Sequence, residues 1–226
     1  GEQIYVAWQN ISGEFDNTAE LSEVAAASTI AMSVWTKENG FSNAVTVSEP
    51  DFLAASPKVA INAAGRPYVA YLQNTENNLL FTTGKNNILY SVIDGSSIEH
   101  KTYAEDAGLV TAIATAYTDD YEISYTLDTD QDLSTLNDRE IIIQKNSTRS
   151  TQNEFIDSNV QYVKNGNQMF RFWYRDDSIV MSDDAGAETV IYQDDTGALT
   201  DDFHVVNGAA GQLAVVWTAV DEEGNK

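Results

Sequence analysis

The sequence predicts an all-β fold, a β-propeller of four-stranded antiparallel blades in about four to five blade equivalents, and three observations carry that prediction. The first is a strand that ends on a large aromatic, runs into a polar loop, and recurs five times. The copies are "QIYVAWQN" ending at Trp8, "RPYVAYLQN" at Tyr71, "YEISYTLD" at Tyr125, "QMFRFWYRD" at Trp173 and "QLAVVWTAVD" at Trp217. By subtraction they lie 63, 54, 48 and 44 residues apart, the length of propeller blades once loop insertions are allowed. The second observation is that four of the five copies carry a preceding strand and a tight turn. These are "KVAINAAG" at 58–65, "VTAIATAYTDD" at 110–120, "NVQYVKNG" at 159–166 and "FHVVNGAAG" at 203–211. Gly65, Gly166 and Gly211, with Asp119-Asp120 in the third copy, stand where a hairpin needs a residue tolerant of positive φ. The third observation is a composition suited to strands, with 4 Trp, 11 Tyr and 8 Phe against only 3 Pro.

Two further strands complete each unit. A third is readable in "STIAMSVW" (28–35), "NILYSVI" (87–93), "REIIIQK" (139–145) and "SIVMS" (178–182), and a fourth in "AVTVSE", "SIEHKTYA", "TQNEFI" and "ETVIYQD". The units fall at about 1–50, 57–105, 109–156, 158–194 and 202–226 of a single β-propeller domain or segment. The first unit starts on its second strand and the last stops before its third. The expectation is therefore an incomplete segment of a larger propeller, its missing strands supplied by a partner chain or by the remainder of a longer polypeptide. One insertion breaks the pattern: "NTAELSEVAAA" at 17–27 reads as a short helix, with Asn17 as N-cap and Glu20 completing a capping box.

Charge narrows the partners. Against 12 Lys plus Arg stand 35 Asp plus Glu, a formal net charge of -23. Such a surface repels phosphate backbones and anionic lipid, which excludes nucleic acid and leaves no basis for membrane insertion. The absence of Cys removes disulfides, thiolate metal sites and a Cys nucleophile. An acidic, β-rich, cysteine-free chain fits an exported bacterial protein, extracellular or at the cell surface.

With five hairpin copies and the stretch "SDDAGAET" at 182–189, which gives Ser182-x-Asp184-x-Gly186-x-x-Thr189, the chain resembles secreted bacterial β-propeller repeat proteins, the group that includes Asp-box (BNR-like) proteins. The resemblance implies that Ser182, Asp184 and Gly186 form a structural turn between third and fourth strands, whose Asp and Ser bond the loop's own backbone, away from the binding face. Elsewhere the motif is degenerate: "TKENGFS" keeps only Thr36, Glu38 and Gly40.

Several groups could carry chemistry. Asp128, Asp130 and Asp132 alternate along a loop, so their carboxylates can turn to one side, and three hard oxygen ligands suit calcium. No other cofactor is expected. Against an EF-hand-like loop, Leu133 stands where Gly is wanted and Arg139 where an acid is wanted. A sialidase-like site needs several convergent arginines. Arg66, in a hairpin turn, and Arg139, after an acidic loop, are poorly placed to join Arg149, Arg171 and Arg175 in one, and the family's Arg-Ile-Pro element is absent. His100 and His204 lie on strands of different units and lack a Ser-His-Asp context. Tyr174, Arg175 and Asp176 form the favoured ligand-binding group, because Tyr174 alternates with Trp173 and faces the opposite side. The reading leans away from catalysis, toward an extracellular recognition or adhesion module that binds glycan or protein ligands; the alternative is a glycoside hydrolase, sialidase-like or of another propeller type.

Overall fold

A computed structural model describes residues 3–62, 64–117, 121–135, 138–143, 157–208 and 211–220. The protein is all-β, and its strands form antiparallel meanders in which sequence neighbours pair. The first sheet holds β1 (Gln3–Ile11) and β2 (Ser28–Thr36), with β2 also pairing two short strands, β3 (Gly40–Phe41) and β4 (Val45–Thr46). The second is a full four-stranded meander of β5 (Leu53–Ile61), β6 (Pro67–Asn74), β7 (Asn86–Asp94) and β8 (Ser97–Ala104). A third contains β9 (Leu109–Tyr117), β10 (Tyr121–Asp128) and β11 (Arg139–Ile143). The fourth is again complete, with β12 (Asp157–Asn165), β13 (Gln168–Arg175), β14 (Ser178–Ser182) and β15 (Glu188–Gln193). Last come β16 (Leu199–Asn207) and β17 (Leu213–Ala219).

The strands read as third in each unit emerge as β2, β7, β11 and β14. Of the expected fourth strands, 97–104 and 188–193 form β8 and β15, while 44–49 shrinks to the two residues of β4. "TQNEFI" and the Asp119-Asp120 turn lie outside the described residues. Gly65 and Gly166 close their hairpins at φ 78° and 62°, a conformation that costs a residue with a Cβ and costs glycine nothing.

The insertion folds differently from its sequence signature. Helix α1 spans only Leu21–Ala26, begins after Glu20, and has no side-chain cap. Asp16 explains the delay: its carboxylate accepts from the Thr18 amide at 2.7 Å and hydroxyl at 2.6 Å, and its carbonyl accepts from the Ala19 amide. That turn consumes the residues that would have made the first helical turn, so Asn17 is not the N-cap.

The chain divides into two compact units, residues 1–123 and 124–226. In the first, the core fills the space between the first and second sheets. Ile30 and Met32 from β2, with Tyr5 and Ala7 from β1, meet Val69 and Tyr71 from β6 and Leu89 and Ile93 from β7. Alternation along a strand sends Tyr68 to the other face of β6, where its hydroxyl donates to the Ala116 carbonyl of β9 at 2.6 Å. The second unit repeats this logic. Trp173 of β13 packs with Ile141 of β11, while Phe172 and its same-face neighbours Phe170 and Tyr174 pack against Leu199, Phe203, Val205 and Val215 of the fifth sheet. Tyr71 in the first unit and Trp173 in the second thus point at the preceding sheet, and the opposite face of each strand points at the following one.

Candidate functional site

The acidic loop between β10 and β11 is the most unusual polar feature among the described residues. Antiparallel register sets Asp128, the last residue of β10, opposite Arg139, the first of β11. The residues flanking that pair are therefore brought together, and Asp138 folds onto Asp130: Asp138 Oδ2 accepts from the Asp130 amide at 2.8 Å and from Thr129 Oγ1 at 3.3 Å. Asp130 in turn accepts from the Asp132 amide at 2.7 Å through Oδ1 and from Thr135 Oγ1 at 3.0 Å through Oδ2. One oxygen from each of Asp128, Asp130 and Asp138 lies within 4.8 Å of the others. Asp132 is not part of this group. Its Oδ1 is taken by the Ser134 hydroxyl at 2.7 Å and amide at 3.0 Å, a local turn that aims the carboxylate at its own loop. The trio expected from alternation, Asp128, Asp130 and Asp132, is thus two-thirds present, with Asp138 as the third member.

The electrostatics differ along the loop. Ser134's hydroxyl and amide hold the Asp132 carboxyl below its ordinary value, and hydrogen bonds led by the Asp132 amide do the same for Asp130. Asp128 moves the other way: burial pushes its carboxyl up, and the charge of Asp138 adds to the push.

The Tyr174–Asp176 group sits on the β13–β14 hairpin. Asp176 and Asp177 both take positive φ, 44° and 58°, as a two-residue turn requires and as Asp tolerates better than most residues. Tyr174 does face away from Trp173, but that face is covered by the fifth sheet, and its hydroxyl donates to Asp177 Oδ1 at 3.0 Å. Arg175 is largely buried and makes a two-pronged pair with Asp157, Nε to Oδ1 at 2.7 Å and Nη2 to Oδ2 at 3.0 Å, while Nη1 reaches Glu188 at 2.7 Å. Its guanidinium also lies over the Trp173 ring, 5.3 Å from the centroid. Burial raises the Asp157 carboxyl despite the opposing pull of Arg175, and for Arg175 the carboxylates outweigh a burial that disfavours its charge. The guanidinium thus links side chains of β12, β13 and β15 across a sheet whose strands pair through their backbones.

In the 183–187 loop between β14 and β15, the residue that bonds the loop's own backbone is Asp183, whose Oδ1 accepts from the amides of Ala185 at 2.9 Å and Ala187 at 3.4 Å. Asp184 reaches across instead to cap the Met169 amide at 3.1 Å, and Ser182 is buried at the end of β14. Gly186 supplies the positive φ of 78°.

The remaining candidates have structural partners. His100 Nδ1 contacts Ser91 Oγ at 2.9 Å. That hydroxyl already donates to the Val47 carbonyl, so the ring nitrogen is the donor of this pair. Arg66 pairs with Asp94 at 3.3 Å in an exposed contact, and Arg171 donates to the Asp183 carbonyl at 3.0 Å. Arg149 lies outside the described residues. Two aromatic groups escaped the sequence reading. Tyr90 and Tyr121 lie 4.8 Å apart with Tyr68 edge-on to both, and Tyr192 stacks on Trp217 at 4.5 Å and 29°. Tyr68 and Tyr121 each stand near the start of a second strand, a recurrence visible in the repeat once the copies are aligned. No family model matches this chain, and no curated protein is detectably similar to it in sequence.

Proposed function

We propose that the chain is a run of β-propeller blades serving as a non-catalytic, exported recognition or adhesion module, with glycan or protein as its ligand. The observation that carries this reading is the consistent face rule. In the two complete sheets the strand-ending aromatic, Tyr71 or Trp173, packs on the preceding sheet and the opposite face of its strand on the following one, as in blades stacked in series. Such stacking commits the repeated residues to packing, and leaves the unequal loops to meet ligands. The partly exposed Tyr192–Trp217 stack and the acidic loops suit a hydroxyl-rich or cationic surface, since carboxylates accept hydrogen bonds from both. In the same reading the outer edge of β1, which pairs only with β2 among the described residues, takes a strand from another chain or from further residues of the same polypeptide.

The test is a glycan and protein-binding screen run beside hydrolysis assays on aryl glycosides and sialylated substrates. Retention of a ligand without turnover is expected, with Trp217→Ala weakening it about tenfold. Release of sugar at a rate abolished by a single carboxylate substitution would overturn the reading in favour of a glycoside hydrolase.

A further inference from the structure

We propose that Asp128, Asp130 and Asp138 hold a hard divalent cation, of calcium type, between the end of β10 and the start of β11. Acidic side chains cluster on any surface this negative, and proximity alone assigns nothing. What sets this cluster apart is Asp128, which is 0% exposed yet among the described residues has neither carboxylate oxygen paired with a donor, and Asp138, whose Oδ1 is likewise buried and without a donor among them. An ionised carboxylate is an acceptor only, and buried acceptor atoms without a donor call for a positive partner. The Arg139 guanidinium offsets a little of the charge, without an ion pair to Asp128 among the described residues.

Geometry agrees with a single ion. Oxygens bound to one calcium at roughly 2.4 Å can stand up to roughly 4.8 Å apart, and one oxygen from each of the three carboxylates falls within 4.8 Å of the others. All donors are carboxylate oxygens, which favours calcium, magnesium or manganese over zinc or copper. Asp138 is fixed through Oδ2, which leaves its Oδ1 and both oxygens of Asp128 for the ion, while each Asp130 oxygen accepts one hydrogen bond and keeps a second lone pair for the metal. The rival arrangement places a proton on Asp128 and shares it with Asp130, and the experiment separates the two.

Thermal unfolding and isothermal titration are run on the whole chain with calcium, magnesium and manganese chlorides, at ionic strength held constant with sodium chloride. Millimolar calcium is expected to raise Tm by about 5 °C and to give a one-site isotherm. Asp128→Asn and Asp138→Asn should each lose the shift and the isotherm, whereas Asp132→Asn, whose carboxylate serves its own turn, should keep both. If Asp128→Asn does not fold, Asp138→Asn against Asp132→Asn decides. No binding by any of the three ions, with Asp128→Asn as stable as the parent, would establish the shared proton and overturn the proposal. An equal shift in parent and both cluster variants would overturn it too, as general screening of the acidic surface.

Discussion

Two strands of the first unit carry nearly the same sequence and lead different lives. Tyr5-Val6-Ala7-Trp8 in β1 and Tyr68-Val69-Ala70-Tyr71 in β6 occupy the same position in their repeats. All eight residues of β6 are buried, whereas β1 has none buried and exposes Ile4, Val6 and Ile11. β6 lies between β5 and β7 and is covered on both faces, by β2 on one side and β9 on the other. Among the described residues β1 pairs only with β2, and only its Tyr5 and Ala7 face meets a neighbour. The second unit contains the same contrast: Trp173 of β13 is 3% exposed, while Trp217 and Val216 of β17 are 39% and 65% exposed. Sequence thus sets which side chains are apolar and which face each points to. Burial, and with it the energetic weight of a residue, is set by whether another sheet lies there.

That contrast can be broken by paired substitutions. The largest expected difference is between Tyr71→Ala and Trp8→Ala. Removing a fully buried aromatic should cost about 4 kcal/mol, and its half-exposed counterpart about 1 kcal/mol, as read from urea denaturation midpoints. Equal losses would mean that β1 is covered in solution.

In the second unit, Arg175→Ala should cost about 3 kcal/mol near neutral pH, because it strands a buried carboxylate at Asp157. The cost depends on pH in a determined direction. Asp157 titrates above its ordinary 3.8 in the folded chain, so the stability it contributes is complete below that value and is lost as pH rises through the folded value. Loss of the guanidinium raises the folded value further, so the variant's deficit should be smaller at about pH 4 than at about pH 7. A deficit that grows on acidification would remove the ion pair from the account.

A smaller gap is expected between Asn74→Ala and Asn10→Ala. Asn74 is buried, donates to the Thr83 carbonyl and Asn86 Oδ1, and accepts from the amides of Glu76 and Asn78, so its loss unpins the 75–85 loop at about 2 kcal/mol. Asn10 is exposed, and its substitution should stay within about 0.5 kcal/mol. Smallest of all is Val6→Lys, which should leave stability within about 0.5 kcal/mol and reduce any concentration-dependent association seen by light scattering.

Much of the fold was legible because two periodicities are written into the chain. The alternation within strands and the recurrence of the aromatic-ended hairpin located β6, β7, β8, β13, β14 and β15 within a residue or two. The short helix was misjudged because Asp16, one residue before the assumed cap, captures Thr18 first. In the acidic loop, alternation found Asp128 and Asp130 but chose Asp132 over Asp138. The choice turns on a register that only the paired strands fix: Asp138 is ten positions away along the chain and adjacent across the hairpin. No local pattern reveals Asp157 and Glu188 as partners of Arg175, because they reach it from the strands on either side of the β13–β14 hairpin.

Hydrogen–deuterium exchange on the peptides covering Tyr5–Asn10 and Tyr68–Asn74 tests the central contrast most directly, since their sequences are nearly matched. If neighbours alone decide burial, the second peptide should exchange at least about a hundredfold more slowly, and alternate amides along β1, those aimed at its open edge, should exchange like an unpaired strand. Equal protection of the two peptides would contradict the account, because it would show β1 covered and paired as β6 is.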